Sequence, residues 1–159
     1  MKTLIAVSDT HGHKENLNAL SQIFEECDYI VHLGDGRADM REISEKYPEK
    51  TYVLKGNCDL CGGLKEAEIQ IEGVKIFACH GDLYRVKSEP FTLAEEAKRR
   101  GASVALYGHT HRAAVHRADG CTRTVIPDWD MQGKGPRHRG WVELNSCGLP
   151  QIVLTDRWV

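Results

Sequence analysis

Residues 3–12 read TLIAVSDTHG. A short apolar run bounded by turn-forming residues reads as a buried strand. This one ends in a carboxylate, Asp9, and an imidazole, His11, with Gly12 beside them. The arrangement recurs along the chain. YIVHL (29–33) leads to Gly34-Asp35-Gly36, and TYVLK (51–55) leads to Gly56-Asn57. VKIFAC (74–79) leads to His80-Gly81-Asp82, and SVALY (103–107) leads to Gly108-His109-Thr110-His111. Glycine at such places permits tight turns and close backbone approach. In open α/β sheets, ligands bind beyond the carboxyl ends of the strands. Five strand ends of one sheet are therefore expected to bring Asp9, His11, Asp35, Asn57, His80, His109 and His111 to one cleft. Each residue also has a plain structural reading. Asp9 would cap a helix starting near residue 13, Asp35 would make a turn, and Asn57 would tolerate a left-handed backbone. His80 would be a core histidine, and His109 and His111 would be solvated. Recurrence at the same structural address favours a metal site.

Between these strands the apolar period changes. Leu17, Leu20, Ile23 and Phe24 predict a helix over 14–26, and a polar helical stretch runs from about 38 to 46. EAEIQIEG (66–73) alternates and reads with 74–79 as a hairpin turning at Glu72-Gly73. Residues 92–100 read as a helix stopped by Gly101. From 113 onward the chain is mostly β: AAVHR, TRTVI, GWVEL and QIVLT. Helices alternating with strands, followed by a run of strands, predict a mixed α/β sheet packed against further strands.

A length of 159 residues fits one domain, 1–159, with a real core. A net charge of −2 argues against nonspecific nucleic-acid binding. No apolar run approaches the ~20 residues of a membrane span. The apolar core of the N-terminus, LIAV, is too short for a signal peptide, so a cytoplasmic location is expected. The six cysteines then read as free thiols. Cys58 and Cys61 form a C-x-x-C, but Cys121 and Cys147 do not supply the second pair a structural zinc would want.

Seven donors are too many for one tetrahedral ion and suit two ions sharing a carboxylate. Imidazole, carboxylate and amide oxygen fit Mn²⁺, Fe²⁺, Zn²⁺ or similar ions, and the lack of thiolate argues against a structural zinc. Two divalent ions bring four positive charges, of which Asp9 and Asp35 cancel two. The surplus can hold a phosphate and a hydroxide. Ions ~3.5–4 Å apart can clamp an in-line phosphoryl displacement and lower the pKa of bound water toward ~7.

SDTHG (8–12), GD (34–35), GN (56–57), HG (80–81) and GHTH (108–111) occur in the order of the calcineurin-like metallophosphoesterases, and the chain resembles that family. GNCD (56–59), HGDLYRVK (80–87) and the small size resemble its short prokaryotic phosphodiesterase branch. The resemblance covers about residues 1–112. It implies an α/β fold, a four-layer α/β/β/α sandwich of mixed sheets, and a dinuclear centre. It places Asp9, His11 and His111 on one ion, and Asn57, His80 and His109 on the other, with Asp35 bridging. Manganese is the first expectation, with Fe²⁺, Zn²⁺, Ni²⁺ and Mg²⁺ as alternatives. The implied reaction is hydrolysis of a phosphodiester or diphosphate in a small-molecule substrate, by in-line attack of a hydroxide held by the metal pair. Asp35 and Asn57 are catalytic in this reading, Asp59 orients neighbours and Arg112 contacts substrate.

Three features depart from the family pattern. Cys58 stands where many members have a histidine that assists the leaving group, which favours leaving groups needing little protonation. Asp82 stands where the branch often has histidine. VIPDWDMQGKGPRHRG (125–140) replaces the usual NPGS loop; Lys134, Arg137, His138 and Arg139 would form a basic loop there, holding phosphate oxygens or simply solvated. HGD, GHTHRAAVH and the later DW also resemble the UDP-diacylglucosamine diphosphatases. Those carry an acyl-holding helical insertion between the blocks matching His80 and His109, where this chain has 28 residues. A third reading is a non-catalytic scaffold resembling the retromer small subunit. Trp129, Trp141 and Trp158 would pack internally or cover an interface in a homo-oligomer.

Overall fold

The computed structural model describes residues 2–112, 114–118, 122–126, 139–144 and 151–155. Two five-stranded mixed sheets face each other. The first has the order β10-β9-β1-β2-β3, comprising β1 (Lys2–Val7), β2 (Tyr29–His32), β3 (Thr51–Val53), β9 (Arg139–Leu144) and β10 (Gln151–Thr155). The second has the order β4-β5-β6-β8-β7, comprising β4 (Glu66–Ile71), β5 (Val74–Cys79), β6 (Val104–Leu106), β7 (Ala114–Ala118) and β8 (Thr122–Ile126). In the first sheet β1, β2 and β3 run parallel; in the second β5, β6 and β8 do. The carboxyl-terminal strands are shared out: β7 and β8 extend one sheet, and β9 and β10 extend the other.

The apolar strands lack alternation because both of their faces are covered. In β1, Leu4 and Ala6 enter the core between the sheets, with Val31, Leu33, Ile76, Ala78 and Leu106. Ile5 and Val7 point the other way, onto Leu17, Leu20 and Phe24 of the helical layer. In β5, Ile76 and Ala78 face inward, while Phe77 and Cys79 pack with Leu93 and Ala97 of α4 (Pro90–Arg99). The result is the expected four-layer α/β/β/α sandwich.

The elements between the strands depart from expectation in detail. The helix expected over 14–26 is two short helices, α1 (Lys14–Asn18) and α2 (Ser21–Glu26). The Leu20 N–H bonds the carbonyl of Leu17, three residues back, at 2.9 Å, and this tighter turn interrupts the helix. The stretch expected to be helical from about 38 to 46 is a 3₁₀ turn, Arg37–Met40, followed by α3 (Arg41–Lys46). The hairpin turns as read: Ile71 pairs with Val74, and Glu72 (φ 47°) and Gly73 (φ 79°) both take the positive φ that a two-residue hairpin loop favours. Among the described residues, no helix is long and apolar enough to cross a membrane.

Candidate metal centre

The five donor-bearing strand ends come from two sheets, not one, which corrects the sequence reading. β1, β2 and β3 supply the ends carrying Asp9 and His11, Asp35, and Asn57; β5 and β6 supply those carrying His80, and His109 and His111. Runs buried on both faces conceal which sheet a strand belongs to. Two hydrogen bonds close the gap between the sheets at this edge. His80 Nδ1 lies 2.9 Å from the carbonyl of Leu33, and the backbone N–H of His109 donates to Asp9 Oδ2 at 3.0 Å.

Close backbone approach is built in. A Cβ on Gly108 would collide with Ser8 Oγ and come within 2.6 Å of Asp9 Oδ2. Gly34 (φ 106°) packs so tightly that a Cβ there would overlap the backbone nitrogen of Gly56. Five of the seven donor residues have left-handed backbone: Asp9 (φ 55°), His11 (44°), Asp35 (57°), His109 (69°) and His111 (54°). Such torsions are uncommon outside glycine and concentrate at functional sites.

The seven donors converge. Ligand atoms of Asp9, His11 and His111 lie within 4.8 Å of one another, and so do those of Asp35, His80 and His109. A third group, His11, Asp35 and Cys58, lies between them and joins the two. Asp9, Asp35 and His80 are buried, whereas His11, Asn57 and His111 stand at the rim. Asp9 Oδ2 accepts from the Ser8 hydroxyl and from His109 N–H, but its buried Oδ1 accepts nothing from the described residues. That oxygen faces His111 Nε2 at 3.2 Å and His11 Nε2 at 3.8 Å. At the second group, the His80 Nδ1–H donates to the Leu33 carbonyl, turning Nε2 toward Asp35 Oδ2 (3.3 Å) and Asn57 Oδ1 (3.0 Å). A backbone carbonyl on the far nitrogen is the usual support for a metal-binding imidazole. A carboxylate oxygen, an amide oxygen and a ring nitrogen, all acceptors, are thus aimed at one another. This donor set suits divalent cations.

The buried charged groups also act on one another. Burial pushes the Asp35 carboxyl up, but the neighbouring His80 and the N–H of Cys58 outweigh it and hold the group well below the carboxylate range. Burial lowers His80, yet Asp35 and Asp9 prevail and raise it. His109 is lowered by burial, with Lys87 and His80 adding to the effect.

Asp59 takes no place among the clustered donors. Its carboxylate accepts four backbone N–H groups: Asp35 and Gly56 on Oδ2, and Gly36 and Arg37 on Oδ1, all at 2.8–3.0 Å. It clips the loop after β2 to the loop after β3. Arg112 is exposed beside His111. Cys58 is an addition, since its thiol reaches the donor cluster. A buried network beneath the site also has no counterpart in the sequence reading. The Gly34 N–H donates to His32 Nδ1, His32 Nε2 meets Thr10 Oγ1 at 3.2 Å, and Thr10 donates to Asp39 Oδ2 at 2.6 Å. The Gly12 N–H donates to the same Asp39 oxygen. Its sequence signal is faint: one histidine inside an otherwise apolar strand. Lys134, Arg137 and His138 of the basic loop lie outside the described residues, as do Cys121, Cys147, Trp129 and Trp158. Arg139, read as part of that loop, instead begins β9.

Facing mixed sheets with clustered carboxylate and imidazole donors at their strand ends are the architecture of a metallophosphoesterase. The chain belongs to the calcineurin-like phosphoesterase superfamily: residues 1–127 match the model of that superfamily's domain. The probable metallophosphoesterase YsnB of Bacillus subtilis (strain 168) is 33% identical over 114 residues, covering 69% of this chain and 64% of YsnB. The chain thus spans somewhat less than two thirds of that relative's length. A conserved protein of Streptococcus pneumoniae TIGR4, described as a predicted phosphoesterase, superposes with a TM-score of 0.77 at 23% identity, over 97% of this chain and 98% of that one. Vps29 of Entamoeba histolytica, in a zinc complex, superposes with a TM-score of 0.73 at 17% identity, over 96% and 98%. At these identities the two structures speak for the fold alone.

Proposed function

We propose that this chain is a metal-dependent phosphoesterase that hydrolyses a phosphodiester or diphosphate at a centre of two divalent cations. The observation that carries the reading is Asp9 Oδ1, a buried carboxylate oxygen without a hydrogen bond among the described residues, facing two imidazoles. Asp9, His11 and His111 would hold one cation, and Asn57, His80 and His109 the other, with Asp35 between them. Mn²⁺ is the first candidate. When bound, the cations supply Lewis acidity and a water acidic enough to act as a nucleophile near neutral pH. The protein's own groups do the positioning. His80 is fixed by the Leu33 carbonyl, and Asp59 holds the Asp35 and Asn57 loops in register. Arg112, exposed beside His111, would meet a non-bridging phosphate oxygen and balance its charge.

Two rivals make different demands. A UDP-diacylglucosamine diphosphatase of the kind considered above needs an acyl-holding insertion between His80 and His109. Here that interval holds one 3₁₀ turn, α4 and β6. A scaffold like the retromer small subunit needs no metal. The test is hydrolysis of bis(p-nitrophenyl) phosphate with added Mn²⁺, together with elemental analysis. Turnover abolished by chelator, with about two metals per chain, is the expected result. No metal retained after manganese soaking would overturn the proposal in favour of the scaffold.

A further inference from the structure

Between Cys58–Leu64, in the loop after β3, and the Arg37–Ser44 segment lies an open groove of about 790 Å³. Cys58 lines this groove and also belongs to the donor cluster with His11 and Asp35, so the groove opens directly off the candidate metal centre. Its two walls differ in chemistry. Arg37 and Arg41 form one side. Leu60 and Leu64 form the other, 89% and 66% exposed, two of the four large apolar side chains that stand exposed among the described residues. Asp59, the acidic group of the lining, stays ionised, with its carboxylate turned onto four backbone N–H groups. Two guanidinium groups against one carboxylate leave the lining net positive beside an apolar wall.

The arginines are poised rather than tied up. Arg37 Nη1 donates to the Gly62 carbonyl at 2.9 Å, and the guanidinium lies against Gly63, where a Cβ would come within 3.0 Å of Cζ. That fixes the fork and leaves its remaining N–H groups for an anion. Among the described residues Arg41 makes only an exposed i,i+4 contact with Glu45 at 3.3 Å, a pair that yields readily to a phosphate.

Resting on the phosphoesterase reading, we infer that this groove receives the leaving group, and that the substrate is a nucleoside-diphosphate ester: Arg37 and Arg41 hold the departing phosphate, and Leu60 and Leu64 cover its base. In the reaction, the oxygen of water forms a new bond to the attacked phosphorus and the bridging P–O bond breaks. The departing nucleoside monophosphate takes the electron pair, and the proton of water passes to solvent. A phosphate leaves without being protonated, which agrees with Cys58 standing where a general acid would be expected.

The experiment compares kcat/KM for ADP-ribose, whose leaving group is AMP, and for bis(p-nitrophenyl) phosphate, which has no second phosphate, both with Mn²⁺. Arg37→Ala/Arg41→Ala should fall at least about tenfold further on ADP-ribose than on the small diester, chiefly through KM. Leu60→Ser/Leu64→Ser should fall about threefold further. Equal falls on both substrates, or a wild type that cleaves the diester and not ADP-ribose, would overturn the inference. If the wild type cleaves neither, the phosphoesterase reading fails, and the groove is judged by AMP titrated calorimetrically into the manganese-loaded protein. At least fivefold weaker binding to the arginine variant supports the groove, and unchanged binding overturns it.

Discussion

Asp9 Oδ1 stands 3.2 Å from His111 Nε2 and, among the described residues, accepts no hydrogen bond, although Asp9 Oδ2 accepts two. The carboxylate is anchored through one oxygen and presents the other. A cation bound there stabilises the folded state by mass action, by about 2.7 kcal/mol at a hundred times its dissociation constant. For a chain of this length that is roughly 5–10 °C in Tm. Asp9→Asn should fold, keep less than the full complement of metal, and lose most of the manganese-induced rise in Tm. An equal rise in variant and wild type would refute a ligand role for Asp9.

Asp35 joins the two donor groups, so its removal should be felt at both. Asp35→Asn is expected to bind little metal and to show no detectable phosphodiester turnover, by elemental analysis and a chromogenic assay. An active, metal-replete Asp35→Asn protein would disprove the bridging role.

Gly108 tests the close packing of β1 against β6. Its Cβ would displace Ser8 Oγ and crowd Asp9 Oδ2, and relief requires the two loops to separate. Gly108→Ala should be less stable by about 1–3 kcal/mol in urea melts, the usual range for overpacking. It should also bind manganese more weakly in equilibrium dialysis.

Asp59 tests the clip. Burial pushes its carboxyl up, but four backbone N–H donors, led by that of Gly56, hold it below the ordinary range. Hydrogen bonds to a charged group contribute about 1.5–3 kcal/mol each where buried, less at a partly exposed site such as this one. Asp59→Ala should lose about 2–3 kcal/mol of stability in urea melts, with metal affinity falling in parallel. Asp59→Asn should not rescue it, because its amide NH₂ would face donors. Rescue by asparagine would show that charge is not what holds the loops.

His32 gives a pH test. Burial keeps its ring neutral and lowers its pKa to about 4. The unfolded chain takes up the proton near 6.5, so between pH 6.5 and about 4 the unfolded state binds more protons and stability falls as pH falls. Above that window the contribution is complete. At most about 3 kcal/mol is at stake. In chelator-treated protein, the stability advantage of wild type over His32→Gln should shrink from pH 7 to pH 4, as followed by urea melts. A difference constant with pH would contradict the assignment.

The strand ends were legible in the sequence because the signal is local: an apolar run, a glycine and a donor lie within a few residues of one another. The hairpin at Glu72-Gly73 was legible for the same reason. Sheet membership was not, because Leu4 and Ala6 face the opposing sheet while Ile5 and Val7 face helices, and a uniformly apolar run cannot distinguish its two sides. Nor could any spacing rule join Thr10, His32 and Asp39, which meet only after folding. Asp59 reads in the sequence as orienting its neighbours, but its four partners are backbone groups, which leave no trace in residue identity.

The left-handed torsions at Asp9, His11, Asp35, His109 and His111 have an evolutionary corollary. Apart from glycine, asparagine, aspartate and histidine tolerate that conformation best, and β-branched residues tolerate it worst. Those three tolerant side chains all carry oxygen or nitrogen lone pairs. Substitutions that survive at these loops are thereby filtered toward side chains with donor atoms, so the backbone itself favours keeping a coordinating group at each of the five positions.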